Sequence, residues 1–314
     1  MMRLMGFMLF GWGSDLRAPS GAVGTATTGG ARTKLFTLAN LFGSRVLQVY
    51  QRILVRAGSP FRSVSVRGCR IELDLRSVYD FRLWLLLKSG RLYEPATSTT
   101  IFRSLNPGDT FVDVGAHIGY FSILASPLVG ASGRVYSFEP QPQAFHRLET
   151  NISSNKLLNV TAMRVALTAH AGEATIRIPL GDTGGATLVP RAVPGSTAEV
   201  STRRGDSILP TGLHGVLKID IEGSELEALR GLESVVSSSP DLHLMMEWNR
   251  TYAGEELWRW VSDRYHISLI ASGRNSAPIL ITVDKSKQLP PQCNLWCTPK
   301  VGEVRTRDLG ALRT

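Results

Sequence analysis

The sequence predicts an α/β protein: a mostly parallel sheet with helices on both faces, preceded by a helix and hairpin extension. Three observations lead there. From residue 110 onward, apolar runs of strand length ("TFVDV", "GRVYSF", "VTAMRV", "GVLKI", "LHLMME") alternate with helical stretches, so the connections are crossovers and the pairing is parallel. The first run passes directly into "GAHIGYFS", a glycine turn and a helix start. Glu139 and Asp220 stand where the second and fourth runs end, at the edge where doubly wound sheets bind ligands.

The elements follow in chain order. "MMRLMGFMLFGWG" superficially resembles a secretory signal, but Gly6, Gly11 and Gly13 break its apolar run and only Arg3 precedes it. Residues 14–33 are rich in Gly, Ala, Ser and Thr without hydrophobic period, so 1–33 read as a flexible leader. Over 34–58, Leu35, Leu38, Leu41, Val46, Val49 and Ile53 recur at helical intervals among Arg45, Arg52 and Arg56. This basic helix reads as docked on the domain, with peripheral membrane contact as the alternative. "SVSVRGCRIELDLR" alternates about an Arg67-Gly68 turn, a hairpin. "YDFRLWLLLKSGRLYEP" reads as a helix stopped by Gly90 and Pro95. Residues 34–95 thus form an extension packing on a main domain at 96–314. Within that domain, 172–190 reads as an inserted hairpin, "EATIRIPL" and "ATLV" about the turn "GDTGG". "ISLI", "PILITV" and "NLWCTP" supply the closing strands.

With 314 residues and 43% apolar content, the chain can bury a full core. Its net charge of +9 is lopsided: residues 1–91 carry 14 Lys/Arg against 4 Asp/Glu (+10), and the remainder 21 against 22 (−1). A basic arm suits anionic lipid, nucleic acid or a phosphorylated sugar, or simply keeps the chain soluble. Three cysteines, Cys69, Cys293 and Cys297, cannot form a disulfide framework and suit a reducing, cytoplasmic setting. Cys293 and Cys297 are half a metal site at most and read as buried thiols.

In the turn D-x-G-x-x-x-G, Gly115 permits the bend and Gly119 the approach of the next helix, which packing alone would explain. Charge is the discriminator. A dinucleotide fingerprint has a third glycine and a bare helix N-terminus, whereas a carboxylate at Asp113 would repel a pyrophosphate and attract an ammonium or sulfonium. Glu139, 24 residues beyond Gly115, can accept both hydroxyls of a ribose. The pair favours S-adenosylmethionine over NAD. In "VLKIDIEGSELEALRG", Ser224 and Glu227 fit a capping box, Glu225 sits in the first helical turn and Gly231 ends the helix. Asp220 and Glu222 have no such structural account; an acceptor hydroxyl, the donor's ammonium or a metal would partner them.

These motifs, "YEP" (93–95), "GDTFVDVGAHIGYFS", "VYSFEPQPQAFHRLETNISSN", "LKIDIEGSELEALRG" and "MMEW", recur in order, and the chain from about Tyr79 to Pro299 resembles the FkbM family of S-adenosylmethionine-dependent methyltransferases. The resemblance implies a seven-stranded, Rossmann-like class I methyltransferase sheet and O-methylation of a sugar, glycan or other small metabolite. It assigns Asp113, Gly115 and Gly119 to the donor's methionine end and Glu139 to its ribose. Asn151 and Asn155 match the helix after the second strand, in a packing or a ligand role. His117 stands where the family commonly has Asn; it could reach the donor or cap the helix. Gly205 stands where the family usually has Leu, leaving Asp206 as a cap.

Deprotonating an acceptor hydroxyl calls for a base. Asp220 and Glu222 are the first candidates, with Glu247 and His243 behind them; Asp220, Glu222 and Glu247 could instead gather a divalent cation, which is not expected. Two other enzyme classes compete. A nicotinamide oxidoreductase lacks support from the glycine pattern, and a nucleic-acid methyltransferase would show N-P-P-[YF] or a Pro-Cys where this chain has "DIEG".

Overall fold

The computed structural model describes residues 47–180, 183–190, 194–273 and 277–300. The leader at 1–33 and the first part of the basic helix lie outside the described residues. The chain opens on α1 (47–56), the hairpin β1 (Phe61–Val66) and β2 (Cys69–Asp74), α2 (Val78–Lys88) and α3 (Pro95–Ser104). Next come β3 (Thr110–Val114), α4 (Tyr120–Val129), β4 (Arg134–Phe138), α5 (Pro142–Ser154) and β5 (Val160–Met163). A small sheet of β6 (Ala166–Leu167), β7 (Gly172–Pro179) and β8 (Gly195–Arg203) intervenes. The main sheet resumes with β9 (His214–Ile219), α6 (Glu225–Gly231), α7 (Glu233–Ser237) and β10 (Asp241–Asn249). It closes with α8 (Glu255–Arg264), β11 (Tyr265–Ser272), β12 (Pro278–Thr282) and β13 (Gln292–Pro299).

The main sheet has the order β12-β11-β13-β10-β9-β3-β4-β5. β5, β4, β3, β9 and β10 are mutually parallel, and β13 inserts antiparallel between β10 and β11. Eight strands replace the seven expected. The extra one is β12: too few residues separate Ser272 from Pro278 for a crossover, so "PILIT" folds straight back on β11 as an edge strand.

Alternate residues face two cores. Phe111, Val135, Val216, Met245 and Trp296 pack with Ile101, Phe121 and the hairpin's Ile71 on one side. Val112, Leu217, Leu244 and Leu295 pack with Leu229, Leu257 and Val261 on the other. All three cysteines are free and buried. Each large side chain so buried contributes about 1.5–3 kcal/mol.

The extension shares the first core. Arg67 and Gly68 both take positive φ, the backbone a two-residue hairpin turn requires. Asn151 and Asn155 on α5 clamp that hairpin: Asn151 Oδ1 accepts from the Glu72 amide (2.8 Å) and Asn155 Oδ1 from the Arg70 amide (2.7 Å). Their work here is packing. Pro95 does not end structure but opens α3, a helix that "PATSTTIFRS", rich in β-branched threonine, conceals from a periodicity reading.

The insertion differs from its expected register. β7 pairs antiparallel with β8, Ile176 opposite Ala198, while "ATLV" contributes a single bridge, Thr187 to Arg177. Ile176, Ile178 and Val200 give this sheet its own small core. Asp206 does cap, but on α7, where its Oδ1 accepts from the amides of Ser234 and Val235 at 3.0 Å.

Candidate active site

A cleft opens beyond the carboxyl ends of β3, β4 and β9, the edge where doubly wound sheets bind ligands. Gly115, His117, Glu139 and Asp220 line its polar side, and Phe138, Val165 and Leu188 its apolar side. The inserted sheet closes over it through Ile176 and Thr187, and Thr187 Oγ1 donates to the Glu222 carbonyl at 2.8 Å.

The two loop glycines are compelled by contact. Gly115 has φ +83°, and a Cβ there would lie 2.0 Å from the Asp220 carbonyl oxygen; at Gly119 it would meet Leu148 Cδ1 at 2.5 Å. His117 also takes positive φ, which turns its amide onto Glu139 Oε2 at 2.8 Å. Glu139 Oε1 accepts from the Gln141 amide, again at 2.8 Å. Both carboxylate oxygens are thereby oriented at the cleft wall. Burial lifts the Glu139 pKa to about 7, against the pull of the two amides. The His117 ring packs edge-on to Tyr79 of α2, 4.9 Å between centroids. Burial, helped by Arg147 and Lys218, lowers its pKa to about 3, so it is neutral at physiological pH.

Asp113 is not on the cleft wall. It is fully buried beneath the loop, where Ser122 Oγ donates to Oδ2 at 2.6 Å and Lys218 Nζ to Oδ1 at 3.2 Å. Register explains this: Ser137, Asp113 and Lys218 lie opposite one another on β4, β3 and β9, a polar row across one face. Lys218 also meets Asp220 Oδ2 at 3.6 Å and lies over the Phe121 ring at 5.1 Å. Its burial works to strip the proton, but Asp113 and then Asp220 outweigh it and raise the pKa above the usual lysine value.

One level further along the strands lies a second polar row. Ile219 pairs with Met246, so Asp220, just past the end of β9, stands level with Glu247 of β10; Asn294 of β13 lies opposite Glu247. Asn294 Nδ2 donates to Glu94 Oε2 at 2.7 Å, which brings the acid of "YEP" into the row. Burial, then repulsion by Asp220, raises Glu94 to about 7. For Glu247, burial and then Asp220 and Glu222 raise the pKa to about 8. Gln292 donates to Glu247 Oε1 at 2.5 Å, while Oε2 is buried without a hydrogen-bond partner.

Sequence reasoning missed Lys218 and gave Glu94 no role, although a lysine inside the apolar run "GVLKI" signals a buried cation in need of partners. Ser224 makes no side-chain cap; Glu225 Oε1 instead accepts from the Gly223 amide at 3.0 Å. His243 stands away from the cleft, opposite Val216 and stacked on Trp296. Among the described residues, no three His, Cys, Asp or Glu side chains group so as to hold a metal ion.

The family model described as "Methyltransferase FkbM domain" matches residues 113–266, from the buried acid of β3 to the start of β11. This near-half of the chain is similar to an FkbM methyltransferase domain. The chain is similar to the hexuronic acid methyltransferase AglP of Haloferax volcanii, 30% identical over 41% of this chain and 52% of that protein. It is also similar to the 31-O-demethyl-FK506 methyltransferase FkbM of Streptomyces tacrolimicus, 31% identical over 41% and 61%. The chain therefore spans about half to three-fifths of the length of these relatives. The crystal structure of methyltransferase FkbM from Methylobacillus flagellatus KT aligns with 63% of this chain and 50% of its own, at 17% identity and a TM-score of 0.38.

Proposed function

We propose that this chain binds S-adenosylmethionine in the cleft and methylates a hydroxyl of a sugar, glycan or other small metabolite. The observation that carries the reading is Glu139. Its two oxygens are held by the His117 and Gln141 amides at the cleft wall, near the apolar Phe138 and Val165, an acceptor pair suited to a ribose diol beside an adenine. The cradle at Gly115, which a Cβ would fill, keeps the β3 turn close to the strand end that bears Asp220. When bound, the donor supplies an electrophilic sulfonium methyl group.

This chain's residues would do the rest. The inserted sheet excludes water, and Asp220 presents its carboxylate at the cleft wall. Glu247, behind Asp220 and with a pKa of about 8, takes up the acceptor's proton near neutrality. Glu222 shapes the turn that follows β9. Lys218 and Asp113 act from beneath as positioning residues. A sugar acceptor is supported by the similarity to a hexuronic acid methyltransferase.

Calorimetric titration of the chain with S-adenosylmethionine and with NAD tests the reading. Saturable uptake of the sulfonium compound, weakened by Glu139→Ala with the cooperative unfolding transition kept, is expected. Uptake of NAD alone would reject it.

A further inference from the structure

The helix α1 has two faces of different character. Gln51 is buried and its Nε2 donates to the Leu75 carbonyl at 2.7 Å; Leu47, Leu54 and Val55 lie half-buried beside it. This side docks on the domain. On the opposite side Val49, Arg52, Ile53 and Arg56 follow the i, i+3, i+4, i+7 spacing of a single stripe, and all four are exposed. Val49 and Ile53 are 55% and 57% exposed.

The stripe continues onto the hairpin. Arg62 Nη2 donates to the Leu54 carbonyl at 3.5 Å, and Phe61, 41% exposed, has the Arg76 guanidinium 5.3 Å from its ring centre. Residues 34–62 hold five Lys/Arg and no Asp or Glu. Two branched aliphatic side chains alternating with arginines along one exposed stripe are poorly suited to a solvated face. They are also poorly suited to a nucleic acid, which rewards cations and aromatic platforms rather than Val and Ile. An interface that is apolar just below an anionic surface satisfies both residue types at once.

We propose that the Val49–Arg52–Ile53–Arg56 stripe, with Phe61 and Arg62, docks the protein on an anionic lipid bilayer. The arginines meet headgroup phosphates and the aliphatic side chains enter the acyl boundary. At ten residues α1 is too short to span a bilayer, so it lies along the surface. None of these six residues lines the cleft.

Co-sedimentation of the full chain with vesicles tests this. It should pellet with mixed phosphatidylglycerol and phosphatidylcholine but stay in solution with phosphatidylcholine alone, and added salt should release it. Arg52→Gln with Arg56→Gln should weaken partition roughly 25-fold, about fivefold per arginine. Val49→Ser with Ile53→Ser should weaken it by roughly tenfold or more. Both pairs are exposed, so the melting temperature and S-adenosylmethionine uptake should match the parent, which separates this proposal from the fate of the cleft. Three results overturn it. The full chain stays in the supernatant, as it would if residues 1–46 cover the stripe; partition is unchanged in either double variant; or polyuridylate binds in preference to vesicles and the Val49/Ile53 variant binds it normally.

Discussion

Asp113 and Glu247 are both acids on the central strands of one sheet, yet the protein treats them oppositely. Asp113 is surrounded by what it needs: Lys218 on one oxygen, Ser122 on the other. Glu247 has Gln292 on one oxygen and nothing on the other, with Asp220 and Glu222 near enough to raise its pKa. The lower row of the site is charge-balanced and the upper row is not. An acid that folding has satisfied holds structure in place, whereas an acid that folding has left in want is the one equipped to take up a proton.

Replacing one acid or its support in each row puts that contrast to the test. Glu247→Gln should reduce turnover by roughly 10²–10⁴-fold while donor affinity by calorimetry changes little; near-normal turnover would move the base elsewhere. Lys218→Met leaves Asp113 buried without its cation and should cost about 3–5 kcal/mol in a denaturant melt. Adding Asp113→Asn to that variant should recover most of the loss, because the amide can still accept from Ser122. If the double variant is as stable as the parent yet slow, Lys218 serves Asp220 as well as Asp113. A further effect concerns pH. Folded Glu247 keeps its proton up to about 8, against an ordinary 4.5, so over that interval the folded state binds more protons than the unfolded one. This group's contribution to stability therefore falls as pH rises through the interval and levels off above it. Melting temperatures of the parent should decline accordingly, and Glu247→Gln should flatten the slope.

The sheet was legible because parallel strands buried on both faces must be apolar runs, and "TFVDV", "GVLKI" and "LHLMME" are such runs. Asp206 was legible as a cap, though not for which helix, since capping partners across a loop leave no spacing signal. Three features were hidden for physical reasons. Residues 195–203, "GSTAEVSTR", are polar because β8 is largely exposed. α3 has few good helix formers and no side-chain cap. The reach of Asp113 depends on which face of β3 it occupies and on what stands opposite, and only the register with Lys218 decides that. The glycine loop was read correctly as a turn but with its charge facing the ligand, when that charge faces the interior.

Asn151 ties these regions together. One side-chain amide holds the Glu72 amide through its oxygen and donates through its nitrogen to the Ile118 carbonyl at 3.0 Å, inside the turn between Gly115 and Gly119. An amide group is planar and stiff, so the hairpin cannot peel away while the turn stays put. Ordering at either end is paid into a common account: a solute that quiets the turn should slow deuterium uptake at Glu72, and a loosened hairpin should be felt as a looser grip on whatever the turn encloses.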